Sequence, residues 1–271
     1  MKKLSLFVIL LIVGTAVFAQ NRETRSVETF TKLSFRVPGK LYLKQGSVQK
    51  VELEGPADIL KEVETSVSGA KLSIEREGRW MDWNSWKDSD KITVYVTMKD
   101  VEGISVSGSG DLIGEGKFTT SDLNLNVSGS GSLDVEVIAS GNVEGNVSGS
   151  GNLNMKGSSN NFESKVSGSG RVNLSVSVRG LSDFSVSGSG RIQAEGTSRE
   201  VKTSISGSGK VLASGLEADK CEVRISGSGD VEINVKSDLD ATISGSGSVS
   251  YKGNPGHVNS HASGSGKVRK M

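Results

Sequence analysis

Cysteine is almost missing from this chain of 271 residues. Cys221 stands alone, so no intrachain disulfide can form and stability must come from packing. Proline occurs three times, which leaves the turns to glycine, serine and asparagine. Charge of one sign is missing too: 32 basic residues balance 31 acidic ones, without the basic excess that nucleic-acid binding needs. After residues 4–17 no run is long and apolar enough to cross a membrane as a helix. That first run follows Lys2 and Lys3 and ends in Val17-Phe18-Ala19, the pattern of a secretory signal (residues 1–19) cleaved before Gln20. It is short for a membrane anchor, and no cysteine at the cleavage point offers a site for lipidation.

What is abundant is glycine, with 35 residues, and it is ordered rather than scattered. The word Ser-Gly-Ser-Gly occurs nine times, starting at residues 107, 128, 148, 167, 187, 206, 226, 244 and 263, at intervals of 18 to 21 residues. A period near twenty marks a repeat architecture. Around each word apolar residues alternate with polar ones, as in Phe184, Val186, Gly188, Gly190 and Ile192, and again in Cys221, Val223, Ile225, Gly227, Gly229 and Val231. Side chains of a strand alternate faces, so each unit has one apolar face, with both glycines of the word on it, and one face of serine and charge. The pairs Gly108 and Gly110, Gly129 and Gly131, Gly149 and Gly151, Gly168 and Gly170, Gly188 and Gly190, Gly207 and Gly209, Gly227 and Gly229, Gly245 and Gly247, and Gly264 and Gly266 are therefore expected to form the tight corner of each coil.

A unit of this size cannot bury its own apolar face, but stacked units can. The expectation is an all-β chain forming a parallel β-helix of about ten coils, each rising roughly 4.8 Å. A β-propeller needs about forty residues per blade. A calcium-binding roll needs an aspartate in each copy, whereas the residue after each word is Asp111, Ser132, Asn152, Arg171, Arg191, Lys210, Asp230, Ser248 and Lys267 in turn. Residues 20–29 form a lead-in and residues 30–271 the repeat domain. Alternation is already visible in Leu33, Phe35, Val37, Leu41 and Leu43, and Ala57-Asp58-Ile59-Leu60 suggests a short helical turn. Ser68-Gly69-Ala70 reads as a partial copy of the word. Between Ile74 and Ile92 an insertion (77–91) carries all three tryptophans.

Two segments carry the resemblance to a known family. The degenerate Val37-Pro38-Gly39-Lys40-Leu41-Tyr42-Leu43, the serial words, and the ending Ser244-Gly245-Ser246-Gly247-Ser248-Val249-Ser250-Tyr251-Lys252-Gly253-Asn254-Pro255 resemble the DUF2807 family, the auto-transporter adhesin head GIN domain common in Bacteroidetes. The likeness spans about residues 30 to 270. It implies a single-stranded right-handed β-helix exported across the inner membrane, and it supplies no catalytic residues.

Among candidate sites, Trp80, Trp83 and Trp86 are either a stacking platform for sugar rings or partner side chains, or a cap over an open end of the helix. Arg171, Arg191 and Lys210 share one slot of three successive units and should stack into a basic strip, either solvated or facing an acidic polysaccharide or lipid head group. Cys221 has inward parity and is expected to be a buried structural thiol. His257 and His261 should face outward on a strand with no third metal ligand. Asp134, Asp183 and Asp230 occupy unlike slots, and no carboxylate cluster is expected to recur between units as a polysaccharide lyase or hydrolase would need. Gly108-Ser109-Gly110 lacks the third glycine and the helix of a dinucleotide loop. No cofactor or metal is called for. The functional expectation is an exported, non-catalytic envelope or surface protein, an adhesin-like binding module for a glycan or envelope protein, in the periplasm, on the outer membrane or outside the cell. The alternatives are a carbohydrate-active β-helix enzyme and a purely structural envelope protein.

Overall fold

The computed structural model describes residues 21–76 and 91–271. The signal-like segment and Trp80, Trp83 and Trp86 lie outside these described residues.

The word-bearing part of the chain folds as a parallel β-helix. Its strands come in two series that alternate along the chain. One series precedes each Ser-Gly-Ser-Gly word: β8 (Gly103–Gly108), β10 (Leu123–Gly129), β12 (Asn142–Gly149) and β14 (Asn161–Gly168). The other follows it: β9 (Asp111–Thr120), β11 (Ser132–Ala139) and β13 (Asn152–Ser159). Further on the two series fuse into strands that run from one word to the next: β15 (Arg171–Gly188), β16 (Arg191–Gly207), β17 (Lys210–Gly227) and β18 (Asp230–Gly245). The last turn is β19 (Ser248–Lys252), β20 (His257–Gly264) and β21 (Lys267–Lys270). Each strand pairs in parallel with its counterpart one unit away, and the words themselves are in register: Gly129 sits beside Gly108 and Gly149, and Gly188 beside Gly168 and Gly207. The nine words bound about eight turns.

The word is a hydrogen-bonded bend rather than a loose loop. Ser189 N donates to Gly168 O at 2.9 Å and Arg191 N to Gly170 O at 3.0 Å, so the inter-coil ladder continues through it. Its two glycines meet different constraints. Gly188 has φ +109°, and a Cβ there would lie 2.8 Å from the carbonyl oxygen of Gly168. Gly190 is buried with an ordinary φ, and a Cβ on it would lie 2.4 Å from Val166 Cγ1. The first glycine turns the chain; the second admits the valine of the coil below. Gly157 and Gly196 are kinks inside continuous strands, with φ +132° and +115°.

Between the strand series lies a single apolar core of stacked ladders, such as Val172, Ile192, Val211, Val231 and Val249, all buried. Burial of one such side chain contributes about 1.5–3 kcal/mol, and repetition rather than any large residue supplies the core.

The N-terminal part breaks the pattern. Its strands are β1 (Asn21–Arg25), β2 (Lys32–Phe35), β3 (Gly39–Gln45), β4 (Lys50–Gly55), β5 (Val63–Ser68), β6 (Lys71–Arg76) and β7 (Ile92–Met98), with the helix α1 (Ala57–Glu62) between β4 and β5. β2 and β3 pair in parallel with β8 and β9 on one side and with β6 and β7 on the other, so the first coil of the sequence is the second layer of the rod. Beyond the outermost layer the direction reverses. β5 pairs antiparallel with β6, β4 with β7, and β1 with β4. Ser68-Gly69-Ala70 is therefore not a coil corner but a two-residue hairpin, with Gly69 and Ala70 both at positive φ, +55° and +60°.

Candidate binding surface

Outward positions of stacked strands form columns, and their chemistry follows from the register. The slot after the word runs Asp111, Ser132, Asn152, Arg171, Arg191, Lys210, Asp230, Ser248 and Lys267. Arg171, Arg191 and Lys210 thus stand side by side. Lys210 Nζ donates to Asp230 Oδ2 at 2.8 Å, and Ser248 Oγ donates to the other oxygen at 2.7 Å. The Lys210 hydrogen bond, with help from Ser248, holds the Asp230 carboxyl below its usual range. Arg171 and Arg191 are exposed and, among the described residues, form no ion pair.

The adjacent column is built of amides. Asn154 Nδ2 donates to Asp134 Oδ1 at 2.5 Å and Asn173 Nδ2 to Asn154 Oδ1 at 2.7 Å, with Gln193 beside Asn173. These bonds fix Asn154 and Asn173 in place, since each is held by the coil below it. Two unpaired guanidiniums therefore lie beside an ordered row of hydrogen-bonding amides on an open face. Guanidinium groups match the planar oxygen pairs of carboxylates and the oxygens of sulfates and phosphates.

The strands preceding the word carry a column that the sequence reading missed. Glu144, Glu163, Asp183, Lys202, Glu222 and Asp240 are consecutive in register. Carboxylates do recur between neighbouring units, four residues before each word, contrary to expectation. Asp134, Asp183 and Asp230 lie at unlike offsets, and only the fixed offset from the word reveals the column. Burial, and then the neighbouring Glu163, push Asp183 above the usual carboxylate range. Lys165 ion-pairs with Glu163, Arg224 with Glu222, and Lys202 lies 4.0 Å from Glu222, so the column is largely compensated. Among the described residues no three His, Cys, Asp or Glu side chains are grouped to hold a metal ion.

The remaining candidates are quiet. Cys221 is buried, and burial pushes its thiol up to about 12, which leaves it protonated and inert. His257 and His261 lie on the exposed β20. A depression of about 430 Å³ opens over the opposite bend, lined by Gly180, Leu181, Arg199, Glu200, Asp219 and Lys220, where acid and base alternate. At the N-terminal end Tyr42 and Tyr95 stack with centroids 5.6 Å apart, and the Arg22 guanidinium lies 4.4 Å from the Tyr95 ring centre, so these rings are occupied by one another and by arginine. No described helix is long and apolar enough to cross a membrane.

Comparison with solved structures agrees with this architecture. A protein from Parabacteroides merdae, titled a putative adhesin, superimposes with a TM-score of 0.70 at 22% identity, over 93% of this chain and 96% of that one. One from Parabacteroides distasonis with the same title gives 0.68 at 22%, over 93% and 97%. Another from that species, titled a putative lipid binding protein, gives 0.66 at 24%, also over 93% and 97%. At these identities the likeness concerns the fold. No curated protein matches the chain. Residues 29–177 and 168–255 match the family described as "Putative auto-transporter adhesin, head GIN domain", and the chain belongs to this DUF2807 family.

Proposed function

We propose that this protein is an exported, non-catalytic binding module of the cell envelope whose ligand is an anionic glycan. The observation that carries this reading is the pair Arg171 and Arg191, exposed, stacked in adjacent coils and without an acidic partner among the described residues, beside the amides of Asn154, Asn173 and Gln193. An ordinary surface column of like charge is relieved by intervening acids, as Asp230 relieves Lys210. Here no described residue supplies that relief, and it falls to the ligand. The guanidiniums take the anionic groups and the amides take hydroxyls. The secretory pattern of residues 1–19 supports export, and the family description and the adhesin titles of structural relatives support a binding role.

A glycan array probed with residues 20–271 tests this. Carboxylated or sulfated glycans are expected to bind and neutral ones to bind weakly. The double substitution Arg171→Ala, Arg191→Ala should weaken binding at least about tenfold, roughly the loss of one charge-assisted contact, with the melting temperature unchanged. Anionic binding that survives the substitution sinks the strip as the site. Loss of binding on replacing Trp80, Trp83 and Trp86 instead would move the site to the tryptophan insertion.

The carboxylate column favours one second reading, a carbohydrate-active enzyme. Raised Asp183 beside Glu163 is the type of pair that glycoside hydrolysis uses. A polysaccharide-degradation assay decides it: turnover abolished by Asp183→Asn would replace the binding reading. Neither binding nor turnover would leave a structural envelope protein.

A further inference from the structure

The two ends of the rod are finished differently, and the C-terminal end is chemically specific. Among the described residues β20 pairs only with β18, and β21 only with β19, so none of these residues covers the outer edge of either strand. Among the described residues, those of β20 that continue the core ladders have no layer above them. Leu239 is 2% exposed, while Val258, directly over it, is 45% exposed. Ala262 over the buried Ile243 is exposed as well, and Val268 over Val249 is only partly buried. The end of the core is thus open, bordered by a row of unsatisfied backbone donors and acceptors.

Its charge is one-sided. After Asp240 the sequence contains Lys252, Lys267, Arg269 and Lys270 and no Asp or Glu. Arg269 Nε donates to Ser250 Oγ at 3.2 Å and Lys270 Nζ to Asn254 Oδ1 at 3.2 Å, and among the described residues none of the four cations is ion-paired. A chain balanced overall at +1 therefore concentrates positive charge around one open edge, with only Asp230 of the layer below, already held by Lys210, acting on Arg269.

We infer that this edge is a docking site for an extended acidic polypeptide, which adds a strand to β20 or β21, lays small apolar side chains over Val258, Ala262 and Val268, and neutralises the flanking cations. Backbone pairing supplies the register and alternating side chains supply the selectivity. A second copy meeting this end with its own C-terminal edge would oppose four cations with four. The opposite end of another copy offers two strand edges, β1 with two arginines to one glutamate and β5 with a single glutamate, a weak charge match beside a strand of alternating acid; head-to-tail association is the outcome that sedimentation tests below. Residues 1–20 hold two lysines and no acid.

The test uses residues 20–271 and a fluorescein-labelled peptide of about ten residues alternating valine and glutamate, long enough for one strand. Anisotropy should report binding that weakens at least about tenfold on raising salt to roughly 0.5 M, and equally in the Lys267→Glu, Arg269→Glu, Lys270→Glu variant. These side chains are exposed, and an unchanged melting curve shows that the variant is folded. The same peptide N-methylated at alternate residues cannot complete the ladder and should not bind. The inference is overturned if a valine–lysine peptide binds as well, if the N-methylated peptide binds equally, if the acidic peptide does not bind, or if sedimentation shows the chain alone associating through this end. The Arg171→Ala, Arg191→Ala variant should bind the peptide like the parent, which separates this site from the glycan strip.

Discussion

The first layer of the rod and the last are built from the same alternating strands, yet one is sealed and the other is not. At the N-terminal end, β4 and β5 run against the helix direction and cover β7 and β6, β1 covers β4, and Ile59 and Leu60 of α1 are buried. At the C-terminal end every residue of β20 is exposed. The contrast teaches that a parallel coil cannot seal itself. Another copy of the repeat only moves the open core along the axis, whereas reversed strands break the repetition and cover the core, leaving only the edges of β1 and β5 unpaired among the described residues. The seal is therefore visible as a departure from the repeat, in the one stretch where the word is absent.

The sharpest way to break the contrast is to damage the same word at different depths. Gly190→Val, in the middle of the rod, drives a side chain into Val166 and the carbonyl of Gly170 and should cost about 4 kcal/mol or more by chemical denaturation. Gly266→Val meets Ile243 at comparable range, but its layer has nothing above it. That loss should stay local, seen as faster hydrogen exchange in β20 and β21 with the denaturation midpoint nearly unchanged. Equal global losses at the two positions would show that the open end is as tightly coupled as the interior.

Deleting apolar side chains makes the same comparison more gently. Leu60→Ala in the seal should cost about 2–4 kcal/mol, whereas Val258→Ala should change stability by less than about 0.5 kcal/mol. A large loss at Val258 would mean that the end is covered in solution. Next in size, Ala70→Gly in the hairpin of the seal relieves a left-handed alanine and should stabilise by about 1 kcal/mol. No gain would mean that this hairpin is not limiting for the seal.

The smallest effect concerns pH near the open end, where Asp230 ties β17 to β19 through Lys210 and Ser248. The folded carboxyl is held below its ordinary value, so its contribution is present above the unfolded pKa and is lost as pH falls through the folded one. Both partners are more than a third exposed, so Asp230→Asn should cost less than about 1 kcal/mol at neutral pH, vanishing in strong acid. Thermal melts across that range would show it.

Much of the fold was legible because the repeat writes each constraint many times. The alternation of Phe184 and Val186 continues to the buried Gly190 but not to Gly188, which is exposed rather than on the core face, and Arg171, Arg191 and Lys210 lie in register in adjacent coils. The N-terminal end was less legible because its pairings are not periodic. Ser68-Gly69-Ala70 looks like a worn word, and only the reversal of β5 against β6 distinguishes hairpin from corner. The carboxylate column escaped because its members vary in type, Glu144, Glu163, Asp183 and then Lys202, and only the stacked register aligns them. The basic strip is readable in the sequence as an alignment of charge. Whether those charges are neutralised depends on neighbours in three dimensions, and that separates the paired Lys210 from the unpaired arginines.

The layer order at the sealed end also dictates a schedule. Through the words, each strand finds its partner about one period away, so coils can be added one by one as chain emerges. Leu33 instead waits for Leu72, 39 residues on, and for Ile104, 71 residues on. A chain delivered from its N-terminus must therefore hold its first coil open on one side until the third layer arrives. Closing that long loop is the slow, entropically costly step, after which growth of the rod is local and quick.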